Sequence, residues 1–158
     1  MLNTAIHPAI AADLPRILEI ARQSASAAQW NSGEYEKMLR EDTSLSTNIL
    51  LVVEAAQGQK ILGFLAAREV SGEWEIENLA ICESARRLGL GLRLLNEFLR
   101  IARERHGQAV FLEVRESNRA ARALYSKCTF VEAGRRKSYY HNPEEDALIL
   151  KFSFSRTM

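Results

Sequence analysis

Between an apolar strand-like run and a long amphipathic helix, the chain reads Arg86-Arg87-Leu88-Gly89-Leu90-Gly91. Gly89 and Gly91 lack a Cβ, so the backbone can turn sharply there and an anion can reach the main chain. The first turn of a helix leaves its N–H groups unpaired, and the aligned peptide dipoles give that end roughly half a positive charge. The stretch therefore predicts a site for a phosphate or pyrophosphate group. A strand-to-helix turn that simply needs small residues is the alternative interpretation.

The composition favours one domain, residues 1–158, with no strong net charge. A chain of 158 residues is long enough for one substantial core. Its 21 basic and 20 acidic side chains nearly cancel, which gives no argument for a nucleic acid or an anionic membrane as a partner. The longest aliphatic run, residues 49–53, is too short to span a bilayer, and no basic segment precedes an apolar one at the N-terminus. We therefore expect a cytoplasmic protein.

The two cysteines, Cys82 and Cys128, are too few for a disulfide framework and lack the spacing of metal ligands. We interpret both as free thiols and expect no metal site. Cys128 follows an apolar helical pattern, which favours a small core residue over a nucleophile.

Hydrophobic periodicity predicts the order β-α-α-β-β-β-α-β-α-β-β. The strands are expected at residues 6–10, 49–55, 61–70, 74–81, 110–114, 130–139 and 146–154. The helices are expected from residue 14, from residue 32 or 33 to about 45, at residues 90–105 and at residues 118–127. Asp13 is expected to cap the first helix ahead of Pro15, and Gly107 to end the third. Turn residues Gln57-Gly58 and Ser71-Gly72 predict an antiparallel meander of three strands.

Three groups of segments accompany this order of elements. They are Asn78-Leu79-Ala80-Ile81 through Gly91; Phe111-Leu112-Glu113-Val114-Arg115-Glu116-Ser117-Asn118; and Ala123-Leu124-Tyr125 with Arg136-Lys137-Ser138-Tyr139-Tyr140 and Glu145-Asp146-Ala147. Over nearly its whole length the chain resembles the GNAT superfamily of acetyl-CoA-dependent N-acetyltransferases, and within it the RimI type that acetylates ribosomal-protein alanine. The resemblance implies the α/β (α+β) GNAT fold, a mixed, mostly antiparallel sheet of about seven strands flanked by four helices.

Carried over by position, the resemblance implies a site for acetyl-CoA. Backbone groups of Leu79, Ala80 and Ile81 would hold the pantetheine arm and thioester much as an added strand would. The amides from Arg87 through Leu92 would bind the pyrophosphate, and Asn118 matches an asparagine that contacts the cofactor. The implied cofactor-binding residues are Leu79, Ala80, Ile81, Arg86, Arg87, Leu88, Gly89, Leu90, Gly91, Leu92 and Asn118.

The resemblance also implies two catalytic residues. Glu113 matches a proton-accepting glutamate, and Tyr125 the tyrosine that protonates the leaving thiolate. When an uncharged amine attacks a thioester directly, the protein has only to orient two reactants, remove a proton and stabilise the sulfur. Other interpretations stay open: Glu113 as a surface carboxylate paired with an arginine, Tyr125 as a core aromatic, and Asn118 as a helix cap.

The acceptor side is predicted from an acidic strand. Glu73, Glu75 and Glu77 are expected to share one face and to attract a positively charged substrate terminus. Glu77 is also the second choice for the base, acting through a water. Tyr139 or Tyr140 would lie on a loop that flanks the acceptor in the family.

Two positions depart from the RimI pattern. Thr129 stands where a glycine usually precedes the phenylalanine, so the turn must either avoid a positive φ or accept strain. Gln29 stands where a proline often precedes the tryptophan, in a loop that faces the acceptor in GNAT folds. Trp30 in that loop is expected to cover the first residues of the acceptor.

The sequence therefore predicts acetyl transfer from acetyl-CoA to the α-amino group of a protein N-terminus. The first choice of acceptor is the N-terminal alanine of ribosomal protein S-eighteen. A lysine side chain or a small amine is the alternative acceptor, and a non-catalytic acetyl-CoA-binding module is a further alternative that Glu113 and Tyr125 together argue against. A dinucleotide-binding domain is disfavoured, because three hairpin-linked strands precede the glycine turn in place of a parallel βαβ unit.

Overall fold

The computed structural model describes residues 2–24, 30–40 and 47–155. In these ranges the strands are β1 (Thr4–Pro8), β2 (Asn48–Ala55), β3 (Lys60–Val70), β4 (Glu73–Ile81), β5 (Ala109–Arg115), β6 (Val131–Tyr140) and β7 (Glu145–Ser153). The α-helices are α1 (Leu14–Gln23), α2 (Ser32–Arg40), α3 (Leu90–Glu104) and α4 (Arg119–Lys127). Single 3-10 turns at Ala11–Asp13 and Glu83–Ala85 precede α1 and α3. The predicted order of elements is confirmed.

All seven strands form one sheet in the order β1-β2-β3-β4-β5-β7-β6. Every neighbouring pair is antiparallel except β4 and β5, which run parallel. The predicted meander is β2-β3-β4. Its second turn is a two-residue hairpin in which Ser71 and Gly72 both have positive φ, as a type I′ turn requires. The mixed, mostly antiparallel sheet of the GNAT fold is therefore confirmed.

Helices cover both faces of the meander. On one face α3 contacts β2, β3 and β4, and the rings of Trp74 and Phe98 meet edge to face at 5.8 Å. On the other face α1 and α2 pack, and the ring of Tyr35 meets that of Phe64 at 5.8 Å. Because both faces of β3 are covered, residues 61–67 are all buried, which explains their continuous apolar run.

Asp13 does not cap α1, so that prediction was wrong. Its backbone is helical (φ −81°, ψ −15°), whereas a residue that caps through its side chain is usually extended, and its carboxylate accepts the N–H of Ile10 at 2.9 Å instead. Pro15 also removes one of the amides that such a cap would use. The first strand is displaced as well: it pairs with β2 from Thr4 to Pro8, and Ile10 is 60% exposed beyond its end.

The end of α3 also differs from the prediction. The left-handed residue is His106 (φ 61°), and the N–H groups of His106 and Gly107 donate to the carbonyls of Arg103 and Ala102. Gly107 is needed for a different reason, since a Cβ there would lie 2.9 Å from Cδ1 of Trp74.

Other local expectations have mixed outcomes. Thr129 accepts the positive φ (64°) that the family's glycine would take. Cys82 and Cys128 are buried free thiols, as predicted. The predicted end of the second helix near Leu45, and Gln29, lie outside the described residues. Within the described ranges no helix is long and apolar enough to span a membrane, and no three His, Cys, Asp or Glu side chains are grouped to hold a metal ion.

Candidate active site

The glycine turn leaves a row of backbone amides open at the start of α3. Gly89 adopts the left-handed conformation (φ 78°), and a Cβ there would meet no heavy atom within 4 Å. The first hydrogen bond of the helix runs from the N–H of Arg93 to the carbonyl of Gly89 at 3.1 Å. Within the described chain, the amides of residues 87–92 have no backbone acceptor. This arrangement fits the predicted anion site, and the bound anion itself stays a prediction.

Gly91 has a packing role in addition to any role in binding. It lies within the first turn of α3, and a Cβ there would lie 3.3 Å from Cδ2 of Leu124 in α4. The close approach of Leu124 favours a small residue at Gly91 without requiring one, because the end of a flexible leucine can shift, while the conformation of Gly89 favours a glycine in its own right.

Arg86 supports the end of β4. Its Nε donates to the carbonyl of Ile81 at 3.1 Å, and its terminal nitrogen lies 3.5 Å from Oγ of Ser24. The guanidinium therefore fixes the strand end beside the glycine turn. A direct contact between Arg86 and a cofactor stays a prediction.

The sheet opens where β4 and β5 part. Their pairing runs only from Glu73 opposite Ala109 to Glu75 opposite Phe111, although β4 continues to Ile81 and β5 to Arg115. We call the space between residues 76–81 and 112–115 the β4–β5 gap. Over these residues the two neighbouring strands are unpaired although both continue.

Strand geometry decides which backbone groups face this gap. The N–H of Cys82 donates to the carbonyl of Leu62 at 2.8 Å, which directs Cys82 toward the β3 side. Because the direction alternates along a strand, Ala80 also bonds toward β3, whereas Leu79 and Ile81 direct their N–H and C=O groups to the gap, where the C=O of Ile81 already accepts Nε of Arg86. Of the three residues predicted to hold the pantetheine arm through their backbone, Leu79 and Ile81 are thus suitably directed and Ala80 is not.

Asn118 precedes α4 as its N-cap, and Tyr125 lies within the helix. Oδ1 of Asn118 accepts the N–H of Ala121 at 3.1 Å, so the capping alternative is observed, and contact with the cofactor stays a prediction. Tyr125 is 7% exposed and its ring lies 5.5 Å from that of Phe130. Burial raises the pKa of the Tyr125 phenol well above its ordinary value.

Glu113 is paired with an arginine, as the alternative interpretation anticipated. Nε of Arg136 lies 2.6 Å from Oε1 of Glu113, whose side chain is 22% exposed. Tyr139, 48% exposed, lies beside the same carboxylate, and the charge of Glu113 raises the pKa of the Tyr139 phenol. Glu113 therefore lies between a guanidinium and a phenol, and its role as base stays a prediction.

Glu77 occupies a β-bulge. The register between β3 and β4 shifts opposite Ala66 and Ala67, which leaves Glu77 without a partner on β3. Its Oε1 lies 3.6 Å from Nε of Arg68. Burial raises the pKa of Glu77, a shift that Arg68 opposes and Glu75 reinforces. A carboxylate with a raised pKa is a stronger base, which keeps Glu77 as the second candidate.

Asn78, the residue after the bulge, links β4 to α2 and through it to Trp30. Nδ2 of the buried Asn78 donates to the phenol oxygen of Tyr35 at 3.0 Å, and the ring of Tyr35 lies 5.0 Å from that of Trp30. Trp30 thus packs against the core through α2. Its predicted contact with an acceptor is not tested by these contacts.

A charged groove of about 370 Å³ lies where β4 and β5 begin to part. Its charged lining residues are Glu73, Glu75, Glu113, Arg68 and Arg136. Arg68 could have been found from the sequence, since the two-residue hairpin at Ser71-Gly72 aligns it with Glu75 by counting. The contact between Arg136 and Glu113 could not, because it crosses β7.

The sequence matches the profile of the Acetyltransferase (GNAT) family over residues 14–130. It is 32% identical over 143 residues to the ribosomal protein bS18-alanine N-acetyltransferase of Haemophilus influenzae, which covers 89% of this chain and 92% of the relative. The corresponding protein of Escherichia coli K12 is 32% identical over 145 residues, 90% of this chain and 93% of its own. The crystal structure of the Escherichia coli ribosomal-protein-S18-alanine N-acetyltransferase superposes with a TM-score of 0.84 at 27% identity, covering 99% of this chain and 97% of that one.

Proposed function

Because this chain belongs to the GNAT family of acetyltransferases, we propose that it acetylates the α-amino group of a protein N-terminus, and first of all the N-terminal alanine of ribosomal protein bS18. Relatives named for that reaction cover about nine-tenths of both chains at 32% identity. The observation that carries the proposal is the β4–β5 gap: the charged groove is lined by residues where the gap begins, and the open amides of residues 87–92 follow in sequence from the end of β4.

The residues along the gap suit acetyl-CoA, the cosubstrate of the family. When bound, it supplies an activated acetyl thioester that an uncharged amine can attack directly. The amides of residues 87–92 offer donors to a diphosphate, and the open space at Gly89 leaves room for it. Leu79 and Ile81 offer backbone groups to a pantetheine arm in the way that an edge strand pairs with an added strand.

The protein's own chemistry is then limited to moving protons. The Tyr125 phenol is protonated at neutral pH, like any ordinary tyrosine, and can donate its proton to a departing thiolate. Glu113, and in second place Glu77, can take the proton of the attacking amine directly or through a water. Both carboxylates lie on the side of the sheet that the charged groove opens to, since Glu113 lines the groove and Glu77 contacts Arg68 in it.

Acid–base magnitudes favour an α-amine over a lysine. The α-amino group has a pKa near 7.7 to 8.0 and lysine near 10.4, so the neutral form of lysine costs about 3 to 4 kcal/mol more at pH 7. Glu73 and Glu75 have no ion-pair partner among the described residues and would attract a positively charged peptide.

The test uses two peptides that both begin with alanine followed by basic residues. One has a free α-amine and no lysine, and the other has a blocked terminus and one free lysine. We expect kcat/KM to be much higher for the free α-amine, measured by mass spectrometry of the products formed from acetyl-CoA. Comparable values would overturn the proposal in favour of a general amine acetyltransferase, and acetylation of neither peptide would favour a different acceptor or a non-catalytic acetyl-CoA-binding module.

A further inference from the structure

We propose that Arg136 competes with the acceptor for Glu113, because its guanidinium occupies the place on the carboxylate that the ammonium group of an acceptor takes. An acceptor with its own positive charge displaces Arg136, and an acceptor without one does not. The inference rests on the proposed transfer to an α-amine, and it concerns how tightly this same site binds its charged acceptor.

The contact between Arg136 and Glu113 is short, and the arginine side chain is more exposed than the glutamate side chain. Nε of Arg136 donates to Oε1 of Glu113 at 2.6 Å, which is the length of a strong charge-assisted hydrogen bond. The arginine side chain is 54% exposed and the glutamate side chain 22%. The carboxylate is therefore the fixed and partly covered partner, and the guanidinium is the one that can leave into solvent. Its departure costs little only if another cation takes its place, because a partly desolvated carboxylate is otherwise left unpaired.

The fold lets Arg136 reach Glu113 and leaves it few other attachments. Arg136 is paired with Ala147 of β7, and Glu113 is paired with Ile149 of β7. These two β7 residues are two positions apart and share one face, so Arg136 reaches Glu113 diagonally across β7. Among the described residues Glu113 is the one carboxylate in an ion pair with Arg136. The neighbouring Arg135, by contrast, pairs with three carboxylates, Glu116, Glu132 and Asp146. Arg135 is thus fixed by several contacts, whereas Arg136 has one.

A second position for the guanidinium is already present. Its central carbon lies 5.5 Å from the centre of the exposed Tyr139 ring, within the range of a cation–π contact. Arg136 can therefore release Glu113 and stay over this ring. When Arg136 moves from Glu113 to the Tyr139 ring, the Glu113 carboxylate is left with an unpaired negative charge. An incoming ammonium group can then pair with that charge.

The other arginine of the charged groove makes a looser contact. Arg68 lies 3.6 Å from Glu77, beyond hydrogen-bond distance. It provides a comparison in the same groove, because it carries the same charge and touches the second candidate base.

The experiment compares binding of two peptides that differ only at the terminus. One begins with a free α-amine, and in the other that amine is replaced by hydrogen. Affinities are measured by calorimetry at about pH 6.5, well below the pKa of the α-amine, in the presence of CoA so that no turnover occurs. The variants are Arg136→Gln, Arg68→Gln and Lys137→Gln; Lys137 is an exposed neighbour with no ion pair in the described part of the chain.

We expect Arg136→Gln to tighten binding of the amino peptide about threefold to tenfold, as for removal of a partly exposed competing ion pair, and to leave the des-amino peptide within about twofold. Lys137→Gln should change neither. The tightening should disappear when Arg136→Gln is combined with Glu113→Gln, since the shared carboxylate is then gone.

Three results would overturn the inference. Equal effects of Arg136→Gln and Lys137→Gln would show a general charge effect. If Arg68→Gln tightened binding of the amino peptide more than Arg136→Gln does, the ammonium group would displace Arg68 from Glu77 instead of Arg136 from Glu113. Equal tightening of both peptides would show that Arg136 merely obstructs the groove. Arg136→Gln removes one exposed pair and should fold with an unchanged Tm. The binding comparison needs no turnover, so it tests the exchange separately from the proposed function. Failure of the proposed function would appear instead as no acetylation of the alanine peptide by the unaltered protein.

Discussion

Replacing Gly91 with glutamate and, in a matched variant, with glutamine separates the folding role of this position from its proposed role in binding. Both side chains place a Cβ 3.3 Å from Cδ2 of Leu124, which a flexible leucine can relieve by a shift of a few tenths of an ångström. Both also gain about 0.5 to 1 kcal/mol of helix propensity over glycine. We expect near-native stability for both. The glutamate variant should be the more stable by about 0.3 to 1 kcal/mol, because an acidic residue in the first turn complements the dipole of α3.

Binding of acetyl-CoA should follow the opposite order. A carboxylate about 6 Å from one phosphate charge costs about 3 kcal/mol at an effective dielectric constant of about 20, or roughly a hundredfold in Kd. Isothermal titration calorimetry should therefore give a Kd for Gly91→Glu that is weaker than that for Gly91→Gln by about this factor, with a difference that shrinks as salt is added. Equal Kd values for the two variants would refute the assignment of the diphosphate to this turn.

Three further predictions concern proton transfer and packing. Tyr125→Phe keeps the ring and should lower kcat about a hundredfold while the Kd for acetyl-CoA stays within about twofold, whereas an unchanged kcat would remove Tyr125 from the role of acid. Glu113→Gln should show a deficit in kcat/KM that shrinks as pH rises past the acceptor amine's pKa near 7.7 to 8.0, because a neutral amine needs no base; a constant deficit would return attention to the glutamate in the bulge. Gly107→Ala should destabilise the protein by about 1 to 3 kcal/mol in urea unfolding, since its Cβ would lie 2.9 Å from Trp74 and 3.0 Å from the carbonyl of Ala102; a native midpoint would show that the end of α3 can move.

Hydrophobic patterns located most helices and strands to within a residue or two, because burial depends on spacing along each element. The hairpin at Ser71-Gly72 was recognisable for a local reason, as two small or polar residues tolerate the positive φ that the turn needs. The sequence was a poorer guide to helix ends, because each end depends on the backbone conformation of one residue. Nothing in the sequence distinguishes an Asp13 that caps α1 from one that closes the preceding turn, and nothing indicates that His106 takes the left-handed position ahead of a glycine.

In the candidate site, too, the local features were predictable from the sequence and the features that depend on strand pairing were not. The glycine turn is continuous in sequence, and its open amides follow from its position at the start of a helix. The sequence around the bulge at Glu77 contains no glycine or proline that would predict it, so the bulge is recognised only from the register with β3. The pair between Arg136 and Glu113 joins residues 23 apart across an intervening strand, and it depends on the order β5-β7-β6, which local patterns do not determine.

The β4–β5 gap should affect the stability of the protein against unfolding and proteolysis as well as its binding of ligands. The two halves of the sheet, β1 to β4 and β5 to β7, are paired through only three residues of each facing strand. A ligand lying between them binds the folded chain alone, and at a hundred times its Kd it adds about 2.7 kcal/mol to the free energy of unfolding. The amides of Leu79 and Ile81 should then exchange with deuterium more slowly, and proteases should find the opened chain less often. Resistance to degradation would therefore follow the supply of acetyl-CoA, so that a scarcity of the acetyl donor reduces the amount of protein along with its rate.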